Sequence, residues 1–174
     1  DNEFKFEGDV INVLENGNKI VSEGNVKFIT NNNGIITSDK ATYNKKESIL
    51  IANGNVKFIT NNNVIITSNK ATYNKITLIL NAKGDVTIND KKNETIIFAD
   101  HIDYYKSQEL ILSKGITSAI MNNEYFLNSK DIRYEKKIGQ LSSENFTSLD
   151  DNEGNLLSAK NFKYFSLKKQ LEQK

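Results

Sequence analysis

Hydrophobic and polar residues alternate along most of this chain. In the stretch Gly24 to Ala52, Val26 and Phe28 fall on one side, as do Ile36 and Ser38, Ala41 and Tyr43, and Leu50 and Ala52. A period of two predicts strands with one buried and one wet face. Polar breaks at Asn31–Asn33 and Asn44–Glu47 divide the stretch into about three short strands. The pattern then recurs: positions 24–53 and 54–83 are identical at 23 of 30 places. Self-similarity at a fixed period predicts a repeat architecture.

Taken in order, residues 4–14 (FKFEGDVINVL) alternate, and Asn16-Gly17 predicts a hairpin turn after them. The two near-identical units follow. A third unit from Gly84 keeps the skeleton with Ile97, Ala99, Ile102 and Tyr104, and a fourth from Gly115 keeps Leu127, Ser129, Ile132 and Tyr134. A partial fifth carries Leu157, Ala159, Phe162 and Tyr164. In each middle strand the inward residues are spaced by three at one point, from Ser38 to Ala41, Ala99 to Ile102 and Ala159 to Phe162. A parity shift of that kind predicts a β-bulge in the middle strand, and a bulge at the same place in every unit curves the whole sheet. The expected organisation is a single all-β domain over 1–165, with 166–174 a polar linker. Val26, Phe28, Ile36, Val56, Phe58, Ile66, Leu80, Val86, Ile88, Ile97, Ile111 and Leu127 are then expected to line one continuous apolar inner surface. That surface serves equally as a closed sandwich core or as a groove that admits an apolar ligand, because both need the same inward residues.

Composition narrows the function. The chain has 174 residues and a net charge of +1, with the charges interspersed. Lysine supplies every cation but one, Arg133, so phosphate attraction is weak and nucleic acid is not an expected partner. With no cysteine there is no disulfide framework, thiolate nucleophile or cysteine metal site. No apolar run approaches the length of a membrane helix. Asn, Lys and Ile together fill 69 positions, which discounts any special meaning in the Asn runs. His101, the single histidine, stands where earlier units have Lys40 and Lys70 and is expected on the exposed surface. The stretch 150–155 (DDNEGN) has calcium-like residues without the spacing or terminal Glu of an EF-hand. No nucleophile–base set, phosphate loop or nucleophile elbow is present, so no enzyme, cofactor or metal is expected.

Two stretches, Ala52 to Phe58 and Ile66 to Tyr73, read A-x-G-N-V-x-F and I-x-[SA]-[DN]-x-A-x-Y, and a looser copy spans Ala82 to Ile88 and Ile97 to Tyr104. This pattern resembles the OstA-like repeat of lipopolysaccharide-transport proteins, over about Phe4 to Tyr164. The resemblance implies a β-jellyroll of two antiparallel sheets opened into a V, with lipid A acyl chains carried in the apolar interior. It also implies a periplasmic location and end-to-end joining with other jellyroll modules by edge-strand addition. The opening and closing stretches are most similar to the N-terminal periplasmic domain of the outer-membrane assembly protein, which implies an outer-membrane barrel as a further partner. A stand-alone periplasmic bridge protein is the close rival. Transport along such a groove needs no reaction chemistry, and its drive is expected from an ATPase elsewhere.

A structural or adhesive β-solenoid is the alternative. About three strands per 30-residue unit also suit one coil of a parallel β-helix, with Asn31–Asn33 and Asn61–Asn63 stacked as ladders at a corner. Strand direction separates the two: antiparallel neighbours mean the jellyroll, parallel coils the solenoid.

Overall fold

What each of the units from Gly24, Gly54 and Gly84 encodes is one antiparallel pair of long, bent strands. The computed structural model describes residues 4–30 and 34–166. In chain order the strands are β1 (Phe4–Glu7), β2 (Val10–Leu14), β3 (Lys19–Thr30), β4 (Ile35–Asn44), β5 (Ile49–Ile59), β6 (Ile65–Asn74), β7 (Ile79–Asp90), β8 (Thr95–Tyr105), β9 (Leu110–Met121), β10 (Tyr125–Lys130), β11 (Arg133–Glu135), β12 (Gln140–Ser143), β13 (Thr147–Asp151), β14 (Leu156–Ala159) and β15 (Phe162–Phe165). The expected three short strands per unit become two long ones. Leu50–Ala52 and Val56–Phe58 are the two ends of β5, which runs through Gly54-Asn55 without stopping. The break after Asn44 is a turn, and the break at Asn31–Asn33 lies outside the described residues. The Asn16-Gly17 turn joins β2 to β3 as expected.

Every pairing is antiparallel, and β3 to β9 follow one another in sequence order. Antiparallel neighbours remove the parallel solenoid. Asn61 to Asn63 form an exposed turn between β5 and β6 instead of a corner ladder.

The strand carrying the bulge differs from the expectation. Glu23 pairs with Lys40 and Val26 with Ser38, so β3 spends two residues (Gly24, Asn25) where β4 spends one, Asp39. The extra residue therefore belongs to β3, and likewise to β5, β7 and β9, not to the middle strand. Its conformation explains the sequence. Gly24, Gly54 and Gly84 have φ of 73°, 75° and 75°, and the next residues, Asn25, Asn55 and Asp85, lie at 46°, 47° and 48°. Glycine takes such angles freely, and Asn or Asp tolerates them better than other residues. A Cβ on Gly54 would also collide with the Asp39 carboxylate.

A side-chain clasp closes the bulges of β3, β5 and β7. Asn55 Nδ2 donates to Asp39 Oδ2 at 2.9 Å, and Asn25 Nδ2 to Asp9 Oδ2 at 2.9 Å. In the next repeat the partners exchange identity: Asn69 Nδ2 donates to Asp85 Oδ2 at 2.8 Å. In these three bulges one amide and one carboxylate face each other, whereas the β9 bulge has Ile116 in that place.

The bulges fold the sheet into two facing layers. Each of β3 to β9 has one half on either side of its bend. The first layer adds β2 at one end and β11, β12 and β15 at the other. The second adds β1, then β10, β13 and β14. Past β9 the strands no longer run through the bend. Asp131, at φ 53°, ends β10, and its backbone N–H bonds to Gly115 O at 3.0 Å before β11 begins in the other layer. Ser166, expected as the start of a polar linker, is buried and donates its backbone N–H to Gly139 O at 3.1 Å; residues 167–174 lie outside the described part.

Candidate functional site

The space between the layers holds the buried apolar cluster of the described residues. All twelve residues expected to face inward do so, and they belong to one buried cluster running from β3 to β10. None exceeds 2% exposure. The layers meet through aromatic side chains. Phe28 of the second layer packs on Tyr43 of the first at 5.4 Å between ring centroids, and Phe58 packs on Tyr73 at 6.0 Å and Tyr104 at 6.2 Å. At one end Phe4 joins Phe28 and Tyr43, and at the other Tyr125 meets Tyr164 at 5.9 Å. Burial of each Phe or Ile side chain stabilises the fold by about 1.5–3 kcal/mol. The interior is filled by its own side chains. An acyl chain enters it only by displacing rings or parting the layers.

Opposite the line of bulges, the turns of the two layers meet and close the mouth of the V. Polar groups bridge it. Asn62 donates its amide to Glu109, Asn93 Nδ2 donates to Lys136 O at 3.1 Å, and Asn122 Nδ2 donates to Tyr164 Oη at 2.7 Å. Beneath the surface Tyr134 Oη donates to Asp90 Oδ2 at 2.8 Å, and Asp90 also accepts from the backbone N–H and side-chain amide of Asn93. Lys75 lies over the Phe4 ring at 5.4 Å. Sequence reasoning named none of these contacts, because the partners that bridge the mouth lie 42 to 47 residues apart in the chain.

Burial sets the ionisation of this region. It pushes the Tyr73 phenol up to about 12, and it raises Tyr104 and Tyr134 further, with Glu109 adding to the first and Asp90 to the second. Burial pulls the ammonium groups of Lys106 and Lys136 below their ordinary value, opposed at Lys136 by Glu109 and Asp90.

The outer face carries the remaining candidates. His101 is partly covered, with Nε2 3.3 Å from Asp103 Oδ1. Asp103 is itself nearly buried; burial opposes its charge, but Lys114 at 2.6 Å and Asn81 at 2.6 Å hold its carboxyl below the usual range. The DDNEGN segment closes on itself: Asp151 accepts from the backbone N–H groups of Glu153 and Asn155 and from the Asn155 amide. No group of three or more metal-ligating side chains occurs among the described residues. No helix among them is long and apolar enough to cross a membrane.

A bent antiparallel sheet folded over a continuous apolar interior defines a β-jellyroll, and the two near-identical sequence repeats mark successive strand pairs. The family model of OstA-like proteins matches residues 7–151, and the chain belongs to that family. OstA-like proteins are non-enzymatic components of lipopolysaccharide transport. Among solved structures, the chain is similar to LptH from Pseudomonas aeruginosa, described as the LptA-homologous periplasmic component of the conserved lipopolysaccharide transport device. The identity is 10%, the match covers 90% of this chain and 93% of that one, and the TM-score is 0.30. No curated protein matches the chain.

Proposed function

We propose that this chain is a periplasmic module of lipopolysaccharide transport whose interior takes lipid A acyl chains on their way to the outer membrane. The observation that carries the reading is the continuity of the apolar surface: Phe28, Phe58, Ile88, Ile97 and Leu127 lie on successive strand pairs of one cluster, with partly buried Phe4 and Tyr164 packed against its two ends. Transfer of a hydrocarbon chain from water into such a surface is favourable by about 0.8 kcal/mol per methylene, so a lipid travels through it without reaction chemistry. The edges support coupling to like modules. At one end β2 leaves Val10 and Val13 54% and 61% exposed, and at the other β14 leaves Leu156 and Leu157 64% and 63% exposed. Unpaired edges with apolar side chains suit strand addition by a further jellyroll. The opening and closing stretches favour the N-terminal domain of the outer-membrane assembly protein, with its barrel as the onward partner.

The test places a photo-crosslinking amino acid at Phe58, which faces the interior, and separately at exposed Lys57, in cells making lipopolysaccharide. A lipid adduct at 58 and not at 57 is the expected result. Absence of an adduct at both positions, in protein that is folded and exported, would reduce the interior to a plain core and refute the reading.

A further inference from the structure

Two cations at the mouth of the interior have no hydrogen-bond partner among the described residues. Lys136 is 5% exposed, and its Nζ has no hydrogen-bond partner among the described residues. Lys106 Nζ, across the same mouth, is buried and likewise without a partner among them. Lys106 Nζ sits 3.3 Å from where a Cβ on Gly34 would stand, beside the edge of the Phe58 ring. Lys136 Nζ lies 5.3 Å from the centroid of Tyr104, a ring that also packs against Phe58. A buried ammonium that forgoes hydrogen bonds is costly, and a folded chain rarely keeps two on one rim.

The surroundings leave these cations in excess. Two adjoining clefts open at the mouth, of about 320 and 440 Å³, both bounded by Asn62 and Glu109. The first is lined by Lys136 with Lys92 and Lys137, the second by Lys106. Against four lysines stand Asp90 and Glu109. Asp90 already accepts from Tyr134 and Asn93, and Glu109 accepts from Asn62. A group with several acceptor oxygens and negative charge, lying where the two clefts adjoin, would supply the acceptors that these ammonium groups lack.

We propose that Lys106 and Lys136 form a phosphate site at this mouth, which holds the phosphate of an acylated amphiphile while its chains enter the interior beside Phe58 and Tyr104. The inference rests on the transport reading and adds to it an entrance and a headgroup contact. The arrangement fits an amphiphile and not a free anion, because the cations border the apolar rings directly. Entry of the lipid parts the Asn62–Glu109 and Asn93–Lys136 bridges, and the phosphate replaces them as the polar closure.

The experiment measures binding of bisphosphorylated lipid A, enzymatically dephosphorylated lipid A and inorganic phosphate to the full chain and to Lys106→Met and Lys136→Met. Methionine keeps the length and apolar stem of lysine and removes only the ammonium. The full chain should bind the bisphosphorylated lipid about tenfold to a hundredfold more tightly than the dephosphorylated one, the range expected for a charge-assisted hydrogen bond. Each variant should lose most of that difference and leave the dephosphorylated lipid unchanged. Neither variant should melt lower than the parent, since each removes a buried ammonium that has no hydrogen-bond partner among the described residues. Equal binding of the two lipids by the full chain would overturn the phosphate site and leave the apolar interior standing. Binding of neither lipid would sink the transport reading and this site together. Saturation by inorganic phosphate alone, lost in the variants, would make it a free-anion site and overturn the amphiphile. A variant that melts lower and weakens both lipids equally would mark that lysine as structural and overturn its assignment.

Discussion

The Asp39–Asn55 clasp offers a stringent test of how the bends are held. In Asn55→Asp the amide becomes a carboxylate 2.9 Å from the Asp39 oxygen. The charge-assisted hydrogen bond is lost, at about 1.5 kcal/mol because the site is exposed. Repulsion at that distance adds about 1.4 kcal/mol in water, before screening by salt. With some rotation of the two side chains apart, the net destabilisation should be about 2 kcal/mol, or ~4–8 °C in melting temperature. The second substitution, Asp39→Asn, made in the Asn55→Asp background, recreates the arrangement that Asn69 and Asp85 already hold at 2.8 Å. It should restore most of the loss. Urea unfolding of the parent, both single variants and the double variant, followed by circular dichroism, gives the coupling energy. A coupling below about 0.5 kcal/mol would mean that the facing pair does not interact, and the account of the bends would fail.

Three other outcomes follow from the same physics. Gly84→Ala forces a side chain onto a residue at φ 75° against Asn69 and should cost at least about 1–2 kcal/mol of stability in the same urea assay. Tyr134→Phe removes the phenolic donor from buried Asp90 and should cost about 1.5–3 kcal/mol, read from the same unfolding midpoint. Asp103 has a carboxyl held below the usual range in the folded protein. Its contribution is therefore present above the unfolded carboxylate pKa near ~4 and is lost as pH falls through the lower folded value. Asp103→Asn should give a shallower fall in melting temperature over that acid range, and an identical fall would refute the assignment.

How far the chain could be read depended on whether a feature left a local period. The inward face was legible because Val26, Phe28, Ile36 and their counterparts alternate over several strands. The bend was legible from the three-residue step between Ser38 and Ala41, but not the strand that holds the extra residue. In β3 the inward positions Ser22 and Val26 are four apart, so parity is kept and period counting passes over the bulge. The signal was elsewhere, in the exchange of Asp39 and Asn55 for Asn69 and Asp85 between aligned repeats. The mouth left no such trace. Lys136 and Asn93 lie 43 residues apart, in turns where a charged or amide residue ordinarily faces solvent. Only the three-dimensional path shows that a lysine there is buried.

The register of the repeats also makes the fold a ruler. Each near-identical unit contributes two neighbouring strands, and strands in a sheet stand about 4.8 Å apart, so one unit sets about 9.6 Å of interior length. The clasps and the Phe58 ring contacts pair within a unit or with the one beside it. Duplicating residues 54–83 in frame would therefore extend the packed apolar interior by that step with its cross-section unchanged. Deleting them would shorten it by the same amount. The length of the interior is written in the number of its repeats, and 24–53 and 54–83, identical at 23 of 30 places, are two such steps side by side.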